Sequence, residues 1–262
     1  MRRVGRAADR ERDVAPGAIR PAGAAAGKRD CGREEQRENT HRGRILESRA
    51  LTTRGGTLME DRGLAAYAAE FIGTLLLVLF IGSILSTATG LGVTDWAVIG
   101  LLHVFVLAML IATLGGTSGA HFNPAITVAL AAARKIKPPD AVIYIVLQLA
   151  GAIVGALIVK LIFKDEGHGN YGTPSVSDKW LQGKNLSGMF VEMVGTFALV
   201  WAVFGAAVNV RAERAWAPWI IGGTLGAMVM CFGPLTGAGF NPARSIGPAI
   251  VAGSPDWSQL IV

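Results

Sequence analysis

Five stretches of the chain, at about 65–88, 96–114, 141–163, 188–209 and 216–235, are apolar and nearly free of charge. Each approaches or exceeds the ~20 residues a helix needs to cross the hydrocarbon of a bilayer. Two further apolar stretches, 123–133 and 241–251, are too short to cross, and each opens on Asn-Pro. Asn is a favoured N-cap and Pro suits the first helical position, so each predicts a half-length helix entering from the Gly-rich loop before it. Irregular backbone at membrane depth is tolerated where it is buried in protein or lines a wet cavity. The two short helices therefore already predict a pore.

The pattern repeats. AEFIGT at 69–74 echoes VEMVGT at 191–196, and SGAHFNPA at 118–125 echoes TGAGFNPA at 236–243. Glu70 precedes Asn123 by 53 residues and Glu192 precedes Asn241 by 49. An odd number of spans separates the two units, so the second has the opposite orientation, the inverted repeat of many transporters and channels. Repeat one covers 64–163 and repeat two 188–262. By this symmetry a sixth span should close the second unit, yet the sequence ends at Val262. The expectation is a sequence lacking one helix, either a fragment of a gene product or a degraded, non-conducting one.

Composition divides the chain. Of 262 residues 51% are hydrophobic and 17% charged, with a net charge of +6. Much of the charge sits before residue 63, in an Arg-rich segment without apolar period. Residues 1–58 read as a disordered basic extension, and 59–262 as the membrane domain. Met59 opens a compact start, which suggests that the extension is a mis-assigned beginning of the gene. A basic arm that binds nucleic acid or lipid headgroups is the alternative. Arg134, Lys135 and Lys137 follow the first short helix and Arg211 and Arg214 precede the fifth span, while the loop at 89–95 holds no Lys or Arg. The positive-inside rule then puts the N-terminus in the cytoplasm. Cys31 and Cys231 form neither a disulfide framework nor a metal site. No nucleotide-binding, metal-ligating or nucleophile constellation is visible, which argues against an enzyme and against any cofactor.

Two Asn-Pro-Ala triplets (Asn123, Pro124, Ala125 and Asn241, Pro242, Ala243), each after a Gly-rich turn, together with the paired Glu-x-x-Gly-Thr signatures and NPARSIGPA at 241–249, give the chain its likeness. It resembles the major intrinsic proteins, the family of aquaporins and glycerol facilitators, over about 64–257. The resemblance implies an all-α membrane protein, an aquaporin-like right-handed bundle with two re-entrant half-helices, here with the sixth span missing. It also implies a homotetramer with one pore per subunit in the lipid bilayer, expected in the cell membrane, and no nucleic-acid partner.

Two half-helices from opposite leaflets meet N-terminus to N-terminus, and each such end carries about +0.5 charge equivalent, which repels cations. Asn123 and Asn241 would offer amide donors to a passing water there, orienting it so that its proton wire is broken. A plain helix-capping role for both is compatible with this. Arg244, beside an apolar segment, is a functional candidate, with an arginine snorkelling to the interface as the bland alternative. The resemblance places it in the family's narrow filter, and offsets from the triplets carry over the other filter positions to His103, Val229 and Ala238. That set looks most like the filter of plant tonoplast members and implies a somewhat wider pore, open to ammonia, urea or hydrogen peroxide besides water. His103 is alternatively a core histidine donating to a backbone carbonyl. Ser245 and Ala249 are the small pair found in water channels rather than glycerol facilitators. Glu70 and Glu192 are carboxylates within apolar spans, and the readings are a proton relay or acceptors that hold the half-helix loops. His121 is expected to hold its loop too. The competing functions are a water channel, a facilitator for a small neutral solute, an ion-coupled transporter, an adhesive membrane protein with a vestigial pore (against which the short external loops argue) and a non-conducting fragment.

Overall fold

The computed structural model describes residues 62–93, 95–163 and 169–253. The extension at 1–58, Cys31, the start at Met59 and the segment after 253 lie outside the described residues. In chain order the elements are α1 (Leu64–Gly90), α2 (Trp96–Ser118), α3 (Pro124–Ala132) and α4 (Pro138–Phe163). A 3-10 turn (Gly169–Gly172), the short α5 (Asp178–Leu181) and α6 (Asn185–Val203) follow, the last continued by a π-turn (Phe204–Val208). Then come a 3-10 turn (Arg214–Trp216), α7 (Ala217–Thr236) and α8 (Pro242–Ala252). Among the described residues five helices are long and apolar enough to cross a membrane: α1, α2, α4, α6 with its π-turn, and α7 with its lead-in. The half-helices α3 and α8 fall where the Asn-Pro signals put them.

The ends of these helices follow from local chemistry. Asp95 caps α2, accepting from the amides of Ala97 and Val98. Asn123 and Asn241 cap α3 and α8, each followed by Pro at the first helical position. The second span runs to Ser118, four residues past its expected end at 114. Gly115 and Gly116 are poor helix formers, but at membrane depth only a continued helix satisfies their backbone groups. The stop comes at Gly119, at φ 90°, where glycine carries no Cβ penalty.

Packing is by close backbone approach. A Cβ on Gly151 would lie 2.4 Å from the carbonyl oxygen of Phe71, and one on Gly155 would lie 2.5 Å from that of Leu75. The α4 helix thus rides on the backbone of α1. In the same way a Cβ on Gly222 or Gly226 of α7 would lie 2.7 Å from the Val104 carbonyl oxygen or 2.6 Å from that of Gly100 on α2. The small-residue stripes at 151–155 and 222–226 are therefore used within the bundle, as expected where lipid offers no hydrophobic drive between helices. Large apolar side chains such as Phe105, Phe190, Phe197 and Trp201 point outward. An apolar exterior on this scale suits lipid.

Candidate functional site

The two Gly-rich loops fold alike. Each helix before them ends on a left-handed glycine, Gly119 at φ 90° and Gly237 at φ 78°. Two further left-handed residues follow in each loop, Ala120 and Phe122 in one and Ala238 and Phe240 in the other. Non-glycine residues in that region are strained and persist when their surroundings hold them. Two features hold them here. The Phe122 ring fills the space a side chain on Gly73 would need, with a Cβ there 2.0 Å from the ring, and Phe240 does the same over Gly195 at 2.1 Å. The second feature is the pair of glutamates.

Glu70 is fully buried and receives four hydrogen bonds. Ser118 Oγ donates at 2.6 Å, the His121 and Phe122 amides at 2.9 and 2.8 Å, and Gln148 Nε2 at 2.8 Å. Glu192 receives three: Thr236 Oγ1 at 2.5 Å and the Gly239 and Phe240 amides at 3.0 and 2.6 Å. Both thus satisfy loop donors that a bilayer interior could not. The repeats differ in the fourth bond. Glu192 is 8% exposed, against 0% for Glu70, and lines a recess of about 1080 Å³ along α6 and α8.

The half-helices meet at their N-termini and are tied to each other. Asn123 Nδ2 donates to the Phe240 carbonyl at 2.8 Å, and Asn241 Nδ2 to the Phe122 carbonyl at 2.8 Å. Each Asn also uses its side-chain oxygen to cap its own helix, through Ala125 N for Asn123 and through Ala243 N and Arg244 N for Asn241. An amide nitrogen carries two hydrogens, so each Asn keeps one to offer. Both asparagines line a cavity of about 60 Å³. A water needs roughly 10–15 Å³ measured this way, so the cavity holds about four.

The cavity wall is mostly apolar (Leu77, Ile111, Leu130 and Leu225 among others), with His103, His121, Ala238 and Arg244 also lining it. Arg244, in the first turn of α8, is 2% exposed. Its Nη2 donates to the Gly237 carbonyl at 3.3 Å, while Nε and Nη1 have no partner among the described residues. His103 Nδ1 lies 2.8 Å from the Ile99 carbonyl. A carbonyl can only accept, so Nδ1 carries the proton and, in the neutral ring, Nε2 is left as an acceptor. The narrow zone thus has unpaired donors on Arg244 and an acceptor on His103. The carbonyl partner given as the bland alternative for His103 is present, and the residue lines the cavity as well. Val229 is buried on α7, in the same apolar cluster as Leu225, and is not among the lining residues.

His121 donates its backbone amide to Glu70, while its ring nitrogen Nδ1 sits 3.1 Å from Thr127 Oγ1 and its ring packs edge-on against Tyr144. Pro124, Ala125, Pro242 and Ala243 form the first turns of the half-helices. Sequence reasoning did not find Gln148, Ser118 or Tyr144, whose hydroxyl donates to the Ser118 carbonyl at 2.8 Å. A lone amide in an apolar span, as Gln148 is, was the signal available for one of them.

These elements define an integral, multi-pass membrane protein built around a narrow channel between two apposed half-helices. The chain belongs to the major intrinsic protein family, whose pattern matches residues 58–262, and it is a membrane transport channel of that family. It is 35% identical over 199 residues to Aquaporin TIP2-3 of Zea mays, covering 73% of this chain and 77% of that protein. It is 35% identical over 212 residues to Aquaporin AqpM of Methanothermobacter marburgensis, covering 72% and 86%. Glycerol uptake facilitator protein-like 6 of Lactiplantibacillus plantarum is 36% identical over 203 residues, covering 75% and 88%. Among solved structures, the aquaglyceroporin from Plasmodium falciparum superposes with a TM-score of 0.60 at 20% identity, over 72% of this chain and 81% of that one, which shows a shared fold.

Proposed function

We propose that this channel is a passive pore for water that also passes small neutral solutes such as ammonia, urea and hydrogen peroxide, and excludes protons and ions. The observation that carries the reading is the paired amide arrangement of Asn123 and Asn241 at the meeting point of two helix N-termini, both facing a cavity a few waters in size. A water accepting from both amides turns its own hydrogens away along the pore, and the two helix dipoles disfavour a cation at the same point. Glu70, Glu192 and His121 serve as holders of the two loops. That reading of the carboxylates takes their oxygens out of proton relay, because each is occupied by loop and side-chain donors. His103, Val229, Ala238 and Arg244 form the filter. In this reading the channel works as a homotetramer in the cell membrane with its N-terminus in the cytoplasm.

A facilitator for a larger solute such as glycerol is the second reading, favoured by the similarity to a glycerol uptake facilitator. Ser245 and Ala249, small residues after Arg244, weigh against it.

The His103 acceptor separates the solutes. His103→Phe removes Nε2 and fills the space with an apolar ring. Sites that hydrogen-bond a permeant discriminate strongly when the bond is lost. The expected result in reconstituted vesicles is a fall of about tenfold in urea permeability, with water permeability within about threefold of the parent. Urea flux that survives the substitution unchanged removes His103 from the filter.

A further inference from the structure

We propose that Lys160, outside the channel, is a positioning residue that clamps the filter from its outer side. The inference rests on the pore reading above. Lys160 lies in the last turn of α4 and is half-buried. Its Nζ donates to the Val251 carbonyl at 3.3 Å and stands 5.6 Å from the centre of the Tyr171 ring. One ammonium group thus joins the C-terminal turn of the half-helix α8 to the loop between α4 and α5.

Both contacts lead to Arg244. The first runs through α8. A helix C-terminus carries about −0.5 charge equivalent, which a cation stabilises. The other half-helix, α3, is closed by backbone: Ala133, Arg134 and Lys135 amides return to the Ala129, Ala131 and Leu130 carbonyls. At the end of α8, where the described residues stop at Gly253, the Gly253 amide donates to the Ile250 carbonyl. Lys160 adds a charged donor at the Val251 carbonyl of the same turn, and α8 bears Arg244 in its first turn.

The second route runs through the loop. Asn170 and Tyr171 sit at φ 47° and 54°, strained conformations for side-chain-bearing residues. Beyond them the Ser175 and Ser177 amides donate to the Thr236 and Leu235 carbonyls at 3.0 and 2.8 Å, pinning the loop to the end of α7. A Cβ on Gly237 would lie 3.0 Å from Pro174 Cα. Gly237 is therefore backed by the loop, and its carbonyl is the acceptor for Arg244 Nη2. Releasing the cation from Tyr171 loosens the backing of that carbonyl.

The test uses Lys160→Met, which keeps the length of the stem and removes the charge, with Lys160→Arg as the conservative partner. In vesicles Lys160→Met is expected to hold water permeability within about twofold of the parent while raising the urea-to-water permeability ratio about threefold, the scale of one helix-terminal charge and one cation–ring contact. Hydrogen exchange of the Ser175 and Ser177 amides should speed up by a similar factor, and Lys160→Arg should restore both. Should Lys160→Met fail to insert, Tyr171→Leu carries the same test, since it removes the ring and leaves both helices intact. An unchanged ratio with unchanged exchange in a water-conducting variant overturns the assignment. A parent chain that conducts no water overturns the pore reading instead, and the amide exchange then still decides for or against the clamp.

Discussion

Glu70→Leu is expected to yield no folded channel. The substitution leaves four buried donors without an acceptor: Ser118 Oγ, Gln148 Nε2 and the amides of His121 and Phe122. Each buried donor so stranded costs about 1–3 kcal/mol. The sum is on the order of 4–12 kcal/mol, comparable with the roughly 5–15 kcal/mol that holds a typical protein folded. The strained residues Ala120 and Phe122 lose what holds them at the same time. Glu70→Gln keeps one carbonyl oxygen and the size of the side chain, so it should fold with reduced thermal stability. Glu192→Leu strands three donors rather than four and should be milder than Glu70→Leu. Size-exclusion recovery and thermal unfolding in detergent check the series. Normal yield and unfolding temperature for Glu70→Leu would show that the carboxylate does not hold its loop.

Arg244→Ala is expected to give the opposite outcome, a folded protein with a failed filter. The guanidinium lines the cavity and makes one hydrogen bond to the protein, to the Gly237 carbonyl at 3.3 Å, so it does little to hold the fold. Removing it breaks that one bond, so stability should hold within about 1–2 kcal/mol. Function should suffer. The vacated space widens the constriction, and a fixed positive charge facing the pore is gone. At an effective dielectric of about 20, a unit charge ~6 Å from a passing cation contributes roughly 3 kcal/mol to the barrier. Urea flux should rise by about tenfold or more, and proton flux, followed by a pH-sensitive dye inside vesicles, should become measurable. Unchanged urea and proton flux in a variant that still conducts water would show that selectivity resides elsewhere, with the apposed half-helices as the first place to look.

The parts of this account that the sequence made legible are those with local chemistry. Asn-Pro at two places announces a capped short helix because capping needs no distant partner. The five long apolar runs are legible for the same reason, since length and polarity alone decide them. The direction each span faces was not. A helix between lipid and a lipid-like core is apolar all round, so no stripe marks its inner side. That is why Leu77, Ile111 and Leu225 line the cavity without having been singled out. Span two runs past its expected end because the apolar run alone does not mark where Gly119 turns the chain. The polar clamp around Glu70 was half legible: the carboxylate stood out, but its partners Ser118 and Gln148 lie 48 and 78 residues away and nothing local links them. The cross-ties from each Asn amide to the opposite Phe carbonyl span 117 and 119 residues and needed the fold.

The central claim is that Asn123, Asn241 and the filter line a pore that passes water and holds back protons. The direct measurement is stopped-flow light scattering of vesicles containing the whole chain, exposed to a sucrose gradient, with internal pH followed in parallel under a proton gradient. The account predicts shrinkage about tenfold or more faster than in protein-free vesicles, with internal pH relaxing at the protein-free rate. Shrinkage at the protein-free rate, or fast shrinkage accompanied by fast pH equilibration, would contradict it.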